Sequence, residues 1–381
     1  MNSPDFPPSA ADRRFAEARL AGVDLTRLTA TAARADEQGE LHADVLALLH
    51  RHRWLRMLAP QACGGGEWPL PDVVRLEEAV AGADGSTGWL LTLCAGAAWF
   101  AGFWPPGLAR RILATPDLCL AGSGAPTGVA AREGLGAAAG WRVTGQWAHA
   151  SGSPLATHFT FNALLQDQGQ PLRDAQGRPR ACAFVLPAAQ VQMQPSWRSI
   201  GLRASASNAF TVTQAFVPAE QAFDIAVEAA TATGPLYRFP FGALAAVTLA
   251  ANLLGLAGRF LAAAGPLIER RVMQRAAARG GAIASQAPAN WQAARQALQA
   301  AREAFYLGLD TTWQHAASGQ PVDAGQAQAL EALSHALART AREAVDAVYP
   351  DCGLHAADPR TELNRIWRDL HTATQHAQWL R

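Results

Sequence analysis

The chain has 381 residues, half of them hydrophobic and 17% charged, with a formal net charge of +1. That is length enough for two or three domains and a large core, and the near-neutral balance without a basic stripe argues against nucleic acid as the main partner. All 32 basic residues are arginine, which excludes Schiff-base chemistry and a Walker-type lysine and leaves any phosphate to arginine forks or backbone amides.

Cys63, Cys94, Cys119, Cys182 and Cys352 are odd in number, widely spaced and never in a C-x-x-C pair. They read as buried small residues in a reducing compartment. Met1 to Ala10 is Pro-rich with no apolar signal core, and no apolar run is read as reaching the roughly 20 residues of a membrane span. The expectation is a cytoplasmic protein.

In chain order, residues 1–115 read as an all-α domain. Leu41, Val45, Leu48, Leu49 and His52, then Val73, Val74, Leu76, Glu77 and Val80, recur at helical steps. Between them Cys63-Gly-Gly-Gly-Glu67 lacks G-x-G-x-x-G spacing and reads as a turn between helices. Asp84-Gly-Ser-Thr-Gly88 caps a further helix from Trp89 to Phe103, with Ser86 or Thr87 offering the capping oxygen. That helix is apolar nearly all round and should be buried on most sides.

Residues 116–227 change texture to short runs separated by Gly, Pro and Asp turns: Leu118–Ala121, Trp141–Ala150, Phe159–Leu165, Ala181–Leu186, Val191–Met193 and Phe210–Phe216. This predicts an antiparallel β domain, with Gln166 to Arg180 as a solvated connector. Within it, Trp147, His149 and Ser151 fall on one face at the two-residue period of a strand, as the wall of a flat aromatic pocket. Residues 228–381 predict a bundle of four helices: Phe241 to Arg279, from Pro288 onward, Ala327 to Val348, and Thr361 to Leu380.

Several motifs carry a resemblance. Cys63-Gly-Gly-Gly-Glu67, Asp84-Gly-Ser-Thr-Gly-Trp89, Ser123-Gly-Ala-Pro-Thr-Gly128 with Gly145-Gln-Trp-Ala-His-Ala-Ser-Gly152, and Gly201-Leu-Arg-Ala-Ser-Ala-Ser-Asn208 followed by Ala215-Phe-Val-Pro218 stand in order along the chain. With the order helical domain, β domain, four-helix bundle, they resemble the acyl-CoA dehydrogenase superfamily. The dehydrogenases of that superfamily need a carboxylate to take an α-proton. Leu244 to Leu254 contains none, and neither Asp351 nor Glu362 sits in the dehydrogenase pattern. Asn364-Arg-Ile-Trp-Arg-Asp-Leu-His-Thr-Ala-Thr-Gln-His376 and the Trp-x-x-x-Ser-Gly of 147–152 are instead similar to two-component flavin-dependent monooxygenases. One departure is that the buried helix, Leu91-Thr-Leu-Cys-Ala-Gly-Ala-Ala98, lacks a histidine that many of those oxygenases carry.

This resemblance implies reduced flavin, FMN or FAD, delivered by a separate reductase. With O2 it would form a C4a-hydroperoxyflavin that oxygenates a small aromatic or heteroatom-bearing substrate. It implies Ser151 and His376 as catalytic groups at the flavin edge. Ser123, Pro126, Thr127, Trp147, Ser151 and Gly152 would hold the flavin, with Arg271 and Arg275 clamping its phosphate from a neighbouring subunit of a homotetramer. Trp89, His149, Ser205 and Asn208 are candidate substrate contacts, and Arg368 with Asp369 a structural pair orienting the last helix. Two alternatives stay open: an acyl-CoA dehydrogenase with an atypical base, and an inactive flavin-fold binding subunit.

Overall fold

The structure is a computed structural model that describes residues 8–134, 136–280 and 284–379; Met1–Pro7 of the Pro-rich N-terminus and Leu380 of the expected last helix lie outside these. Six helices come first: α1 (Ala10–Arg19), α2 (Thr26–Gln38), α3 (Ala43–Arg51), α4 (Leu70–Ala83), α5 (Gly85–Trp99) and α6 (Pro106–Leu113). The cap of α5 is Asp84, whose carboxylate accepts the Thr87 N–H at 2.9 Å. The capping oxygen therefore comes two residues before Ser86 and three before Thr87, and the helix starts at Gly85 instead of Trp89. Its burial is nearly complete, as its all-round apolar pattern requires.

Eight strands follow among the described residues: β1 (Leu120–Glu133), β2 (Gly140–Ala150), β3 (His158–Asp167), β4 (Gln170–Pro171), β5 (Ala181–Pro187), β6 (Gln192–Gln194), β7 (Asn208–Pro218) and β8 (Ala222–Phe223). They form one sheet in the order β6-β7-β2-β1-β3-β5-β8, with β4 paired to β3. The sheet is mixed: β1 and β3 run parallel, and every other pair is antiparallel. A parallel pair needs a crossover, and here the crossover is β2 itself, laid on the other side of β1. The sheet encloses its own core, in which Trp147, Phe159, Phe161, Phe184 and Phe210 are all nearly inaccessible.

The bundle consists of α7 (Phe241–Ala278), α8 (Ala287–Ala317), α9 (Ala324–Val348), the short α10 (Gly353–Ala357) and α11 (Glu362–Ala373). The last helix ends at Ala373, short of the expected Leu380. Apolar on most sides, α7 packs against α4, α8, α9 and α11. It is long and apolar enough to cross a membrane by composition, contrary to the sequence reading, but 83% of its most apolar stretch is buried inside the protein. Close approach of α7 to α4 depends on Gly82 and Gly255, since a Cβ on Gly255 would stand 2.2 Å from the Glu78 carbonyl oxygen. All five cysteines are free thiols, four of them buried.

A buried ionic cluster ties the N-terminal helices to the bundle. Arg302 on α8 bonds Glu78 on α4 (Nε to Oε1, 2.8 Å) and Asp12 on α1 (3.1 Å), while Arg75 spans Asp12 and Asp310 at 3.0 Å each. Tyr306 donates its hydroxyl to Glu78 and lies under both guanidinium groups. Burial opposes the charge on Arg302, but Glu78, Tyr306 and Asp12 outweigh it and raise its pKa. Burial also opposes ionisation of Asp12, yet Arg302 and Ser9 hold its carboxyl down at about 2. Removing one partner strands a buried charge. Arg302→Met should cost about 3–5 kcal/mol in denaturant unfolding at pH 7, and adding Glu78→Gln should recover much of that loss. A single variant as stable as wild type would show that the cluster does not hold the two parts together.

Candidate active site

The loop before β7 is held by the last helix. Leu202 N–H donates to Asp369 Oδ1 at 2.5 Å, and Gly201 N–H to Thr372 Oγ1 at 3.0 Å. Gly201 lies so close to α11 that a Cβ there would sit 2.1 Å from the Arg368 carbonyl oxygen. So pinned, the chain turns through Leu202 (φ 51°) and Ala206 (φ 45°), a left-handed conformation that costs non-glycine residues energy and that the surroundings enforce.

That turn stacks three buried hydroxyls. Ser205 Oγ donates to the Leu202 carbonyl at 2.7 Å, Ser205 and Ser207 hydroxyls lie 2.9 Å apart, and Ser207 and Ser151 hydroxyls 2.7 Å apart. A carbonyl can only accept, and each hydroxyl has one hydrogen. Ser205 is therefore spent on Leu202, Ser207 on Ser205 and Ser151 on Ser207. Ser151 is left with lone pairs only, so toward a ligand it acts as an acceptor.

Past α11, His376 packs edge-on against Trp89 of α5, ring centroids 5.7 Å apart. Burial lowers its pKa below the ordinary histidine value, and His149 lowers it further, so the ring is neutral at pH 7. His149 itself has φ 63° and stacks edge-on against Trp197 at 5.9 Å.

His376 also lines a cavity of about 230 Å³ between α5, α7 and the sheet. Its walls are largely apolar (Leu93, Phe100, Phe161, Phe241, Leu244, Leu249) with a few hydroxyls and amides among them, and no carboxylate is among the lining residues. Glu362 is paired with Arg259 and Asp351 with Asn290. At one edge of the cavity the register between β1 and β3 breaks between Ser123 and Gly128. Residues 124–127 are exposed and lie outside the ladders of both β2 and β3. Gly124 has open space beside it. Such a stretch of unladdered backbone next to an apolar slot suits the polar edge of a flat heterocycle, so the residues present fit a flavin.

Of the sequence-predicted residues, the structure brings Ser123 and His376 to the cavity, Trp89 beside His376, and Ser151 into the hydroxyl chain behind. Pro126 and Thr127 are in the exposed bulge, with Thr127 Oγ1 donating to the Gln146 carbonyl at 2.6 Å. Gly152 takes φ 74° and donates its N–H to the Ser205 carbonyl at 2.8 Å.

Three expectations need correction, and one pair of arginines stands apart from the sheet. Trp147 is no pocket wall: it is 1% exposed inside the sheet's own core, its Nε1–H on the Asn162 carbonyl, because the bulge between Trp147 and Ala150 breaks the two-residue alternation. Asn208 and Ser205 are not free for substrate. Asn208 Oδ1 accepts the Ser196 and Trp197 N–H groups at 3.0 Å each, its amide donates to Ser153, and Ser205 is committed to the relay. Arg271 folds onto the 351–353 turn of its own chain and Arg275 is exposed, both away from the sheet residues. Arg368 pairs with Asp36 at 2.6 Å rather than with Asp369, which holds Leu202. What sequence reasoning missed is Glu77, buried near the cavity with neither oxygen hydrogen-bonded; only its place next to Glu78 in an apolar helix hinted at it.

With this geometry the class of fold is defined: a helical part, a sheet and an α-bundle meeting at a cavity beside a strand bulge, an arrangement similar to the acyl-CoA dehydrogenase fold. Residues 247–380 match the family described as acyl-CoA dehydrogenase, C-terminal domain. More particularly, the chain is similar along its length to oxygenases. It is 26% identical over 364 residues to an indole-3-acetate monooxygenase of Pseudomonas putida, covering 95% of this chain and 89% of that one. Over 203 residues it is 30% identical to the oxygenase component of an FADH(2)-dependent resorcinol hydroxylase of Rhizobium sp., 52% and 46% of the two chains. The crystal structure of the HsaA monooxygenase from M. tuberculosis superposes with a TM-score of 0.85 at 20% identity, covering 96% and 94%.

Asp369 carries a stability signature. Burial first, then Asp84 and Asp36, raise its pKa from 3.8 to about 8, against the Leu202 N–H and Arg368. Between those values the folded state binds a proton that the unfolded chain has released, so the stabilising effect is complete below about pH 4 and lost as pH rises through 8. Unfolding free energy should fall on the order of 1 kcal/mol per pH unit between pH 6 and 8. Asp369→Asn should make that slope shallower; equal slopes in the two proteins would exclude Asp369 as its source.

Proposed function

We propose that this chain is the oxygenase component of a two-component flavin-dependent monooxygenase that acts on a small aromatic or heteroatom-bearing substrate. The observation that carries this reading is the cavity wall: a neutral histidine and an apolar slot, with no carboxylate where a dehydrogenase base would stand. Relatives that span the chain are named as oxygenases, and one that matches about half of it is named as dependent on FADH(2). A reductase on a separate chain supplies reduced flavin, FMN or FAD, and the enzyme works in the cytoplasm as a homotetramer. Support for assembly comes from large apolar side chains left exposed on the bundle: Met273 (63%), Leu307 (71%) and Leu354 (86%). Arg275 is solvent-facing, free to reach a neighbouring subunit's flavin phosphate, and Arg271 would join it from the same helix.

Bound reduced flavin supplies the electrons that activate O2. The protein's own residues do the rest. The 124–127 bulge offers backbone amides to the flavin's polar edge. Ser151, its hydrogen committed to Ser207, would accept the flavin N5–H and so hinder loss of that proton, the step that wastes reducing power as hydrogen peroxide. His376, neutral and packed on Trp89, can donate one hydrogen bond and accept another, and its side chain helps exclude water from the cavity.

Two experiments test these assignments. With reduced flavin supplied, Ser151→Ala should bind flavin but release peroxide about ten- to a hundred-fold faster, the worth of roughly 1.5–3 kcal/mol for one strong hydrogen bond. An unchanged peroxide rate would reduce Ser151 to a turn residue. Coupling of O2 use to product in wild type should fall at acidic pH with an apparent pKa below 6.5, as His376 gains its proton against burial and His149. His376→Ala should flatten that limb, and a limb that persists in the variant belongs to another group.

A further inference from the structure

A second cavity lies outside the oxygenase reading. Between α2, the 199–203 loop and the start of α11 runs a groove of about 320 Å³ that shares no lining residue with the first cavity. Four arginines and two acids line it. Two of the arginines are already answered: Arg368 holds Asp36 through both terminal nitrogens, at 3.1 and 2.6 Å, and Arg360 at the rim bonds both oxygens of Asp358. Glu37, the other acid, is exposed to solvent. Arg203 and Arg365 are left. Among the described residues no hydrogen bond, ion pair or ring contact engages either side chain. Arg365 acts on the Asp84 carboxylate through space only, since that group is bonded to Thr87 at 2.9 and 2.5 Å.

The two unanswered arginines differ in burial. Arg203 is exposed, whereas Arg365 is only 9% exposed. A guanidinium cannot shed its proton, and a charge taken out of water is normally paired because its lost hydration is otherwise uncompensated. The partner that Arg365 lacks within the chain therefore has to come from outside it. The groove itself shows what each anion can satisfy. Asp36 spends both carboxylate oxygens on the single fork of Arg368. Two forks arriving from two elements call for a ligand with more oxygens and more charge, and a phosphate group offers three terminal oxygens and up to two negative charges.

We propose that this groove binds a phosphate group, free or at the end of a nucleotide, held between Arg203 of the loop and Arg365 of α11. The ion pairs of Arg368 and Arg360 flank the site and keep competing carboxylates occupied. Arg203 directly follows Leu202, and Arg365 lies one helical turn before Asp369, so the ligand bridges the same two elements that the Leu202 to Asp369 hydrogen bond joins. An occupied groove thus tightens the loop that carries the hydroxyl relay. None of this rests on the flavin reading.

The test is calorimetric titration of the full chain with inorganic phosphate, with sodium chloride holding the ionic strength constant. Wild type should bind one phosphate per chain saturably, and acetate at least about tenfold more weakly. Arg203→Gln should weaken phosphate binding by about ten- to a hundred-fold, the worth of one charge-assisted hydrogen-bonded contact. Arg203 is exposed, so this variant decides the matter even where Arg365→Gln, expected to lose as much, fails to fold. Arg110→Gln, which removes an exposed charge on α6 away from the groove, should change the affinity less than about twofold. Hydrogen exchange gives a second readout: saturating phosphate should slow exchange of the Leu202 amide in wild type and not in Arg203→Gln. AMP, with adenosine as control, separates the two sources. AMP binding far tighter than phosphate while adenosine does not bind assigns the groove to a nucleotide, and AMP binding no tighter than phosphate assigns it to the free anion. The proposal is overturned by unsaturable binding, by acetate matching phosphate, by an affinity that survives Arg203→Gln, or by an equal loss in Arg110→Gln.

Discussion

The hydrogen bond from the Leu202 amide to Asp369 is the constraint on which the rest of the site depends. It fixes the turn that presents Ser205 and Ser207, and through them the direction of the Ser151 hydroxyl. It can exist only because Gly201 carries no side chain against α11 and because the carboxyl has been drawn into a dry interior next to Asp84. The same Asp84 caps α5, so one small acidic locus sets the start of the cavity's wall helix and the docking of the last helix together. Arg368, one residue before Asp369, reaches outward to Asp36 and locks α2 onto the same face. The Ser151 hydroxyl is thus held by elements from all three parts of the chain.

The cavity itself is a consequence of packing at short range. Gly255 and Gly82 let α7 and α4 touch backbone to backbone, which draws α5 and its Thr92 toward Asn252. A sheet with its own sealed core stands opposite, and the bulge at 124–127 is where that sheet stops pairing with itself. Ligand-sized space opens at such a join because two rigid surfaces of different curvature meet there.

Much of this was legible in the residues. Helical periodicity located α7 to α9, and the Trp-x-x-x-Ser-Gly and Arg-Asp…His patterns pointed to two segments that do converge near the cavity. Other features were hidden for physical reasons. The parallel pairing of β1 with β3 is non-local and leaves no trace in alternation. Trp147 and His149 share a strand face only if the strand is regular, and the bulge at His149, a non-glycine residue with positive φ, broke that premise. Asn208 looks like a ligand in one dimension, but in three it is consumed by the backbone of 196–197. Arg368 and Asp369 are adjacent in sequence, yet successive helical positions face about 100° apart, so each found a different partner.

Glu77 is the most instructive omission, because it shows where pattern reading and chemistry part. An acidic residue at an inward helical position looks like a residue destined for a salt bridge, and its neighbour Glu78 is one: Arg302 meets it across the interface. The two glutamates differ only by the direction in which 100° of helical rotation turns them, one toward arginines, the other toward a threonine, an asparagine and a cavity. In the first setting a carboxyl is an anchor, held by an arginine and a tyrosine. In the second, among the described residues, it meets no cation and no hydrogen-bond partner, and burial disfavours its charge. The chemistry of the site is therefore set less by which acidic residues the chain contains than by what faces them after folding, and here that is decided by the close contact of α4, α5 and α7.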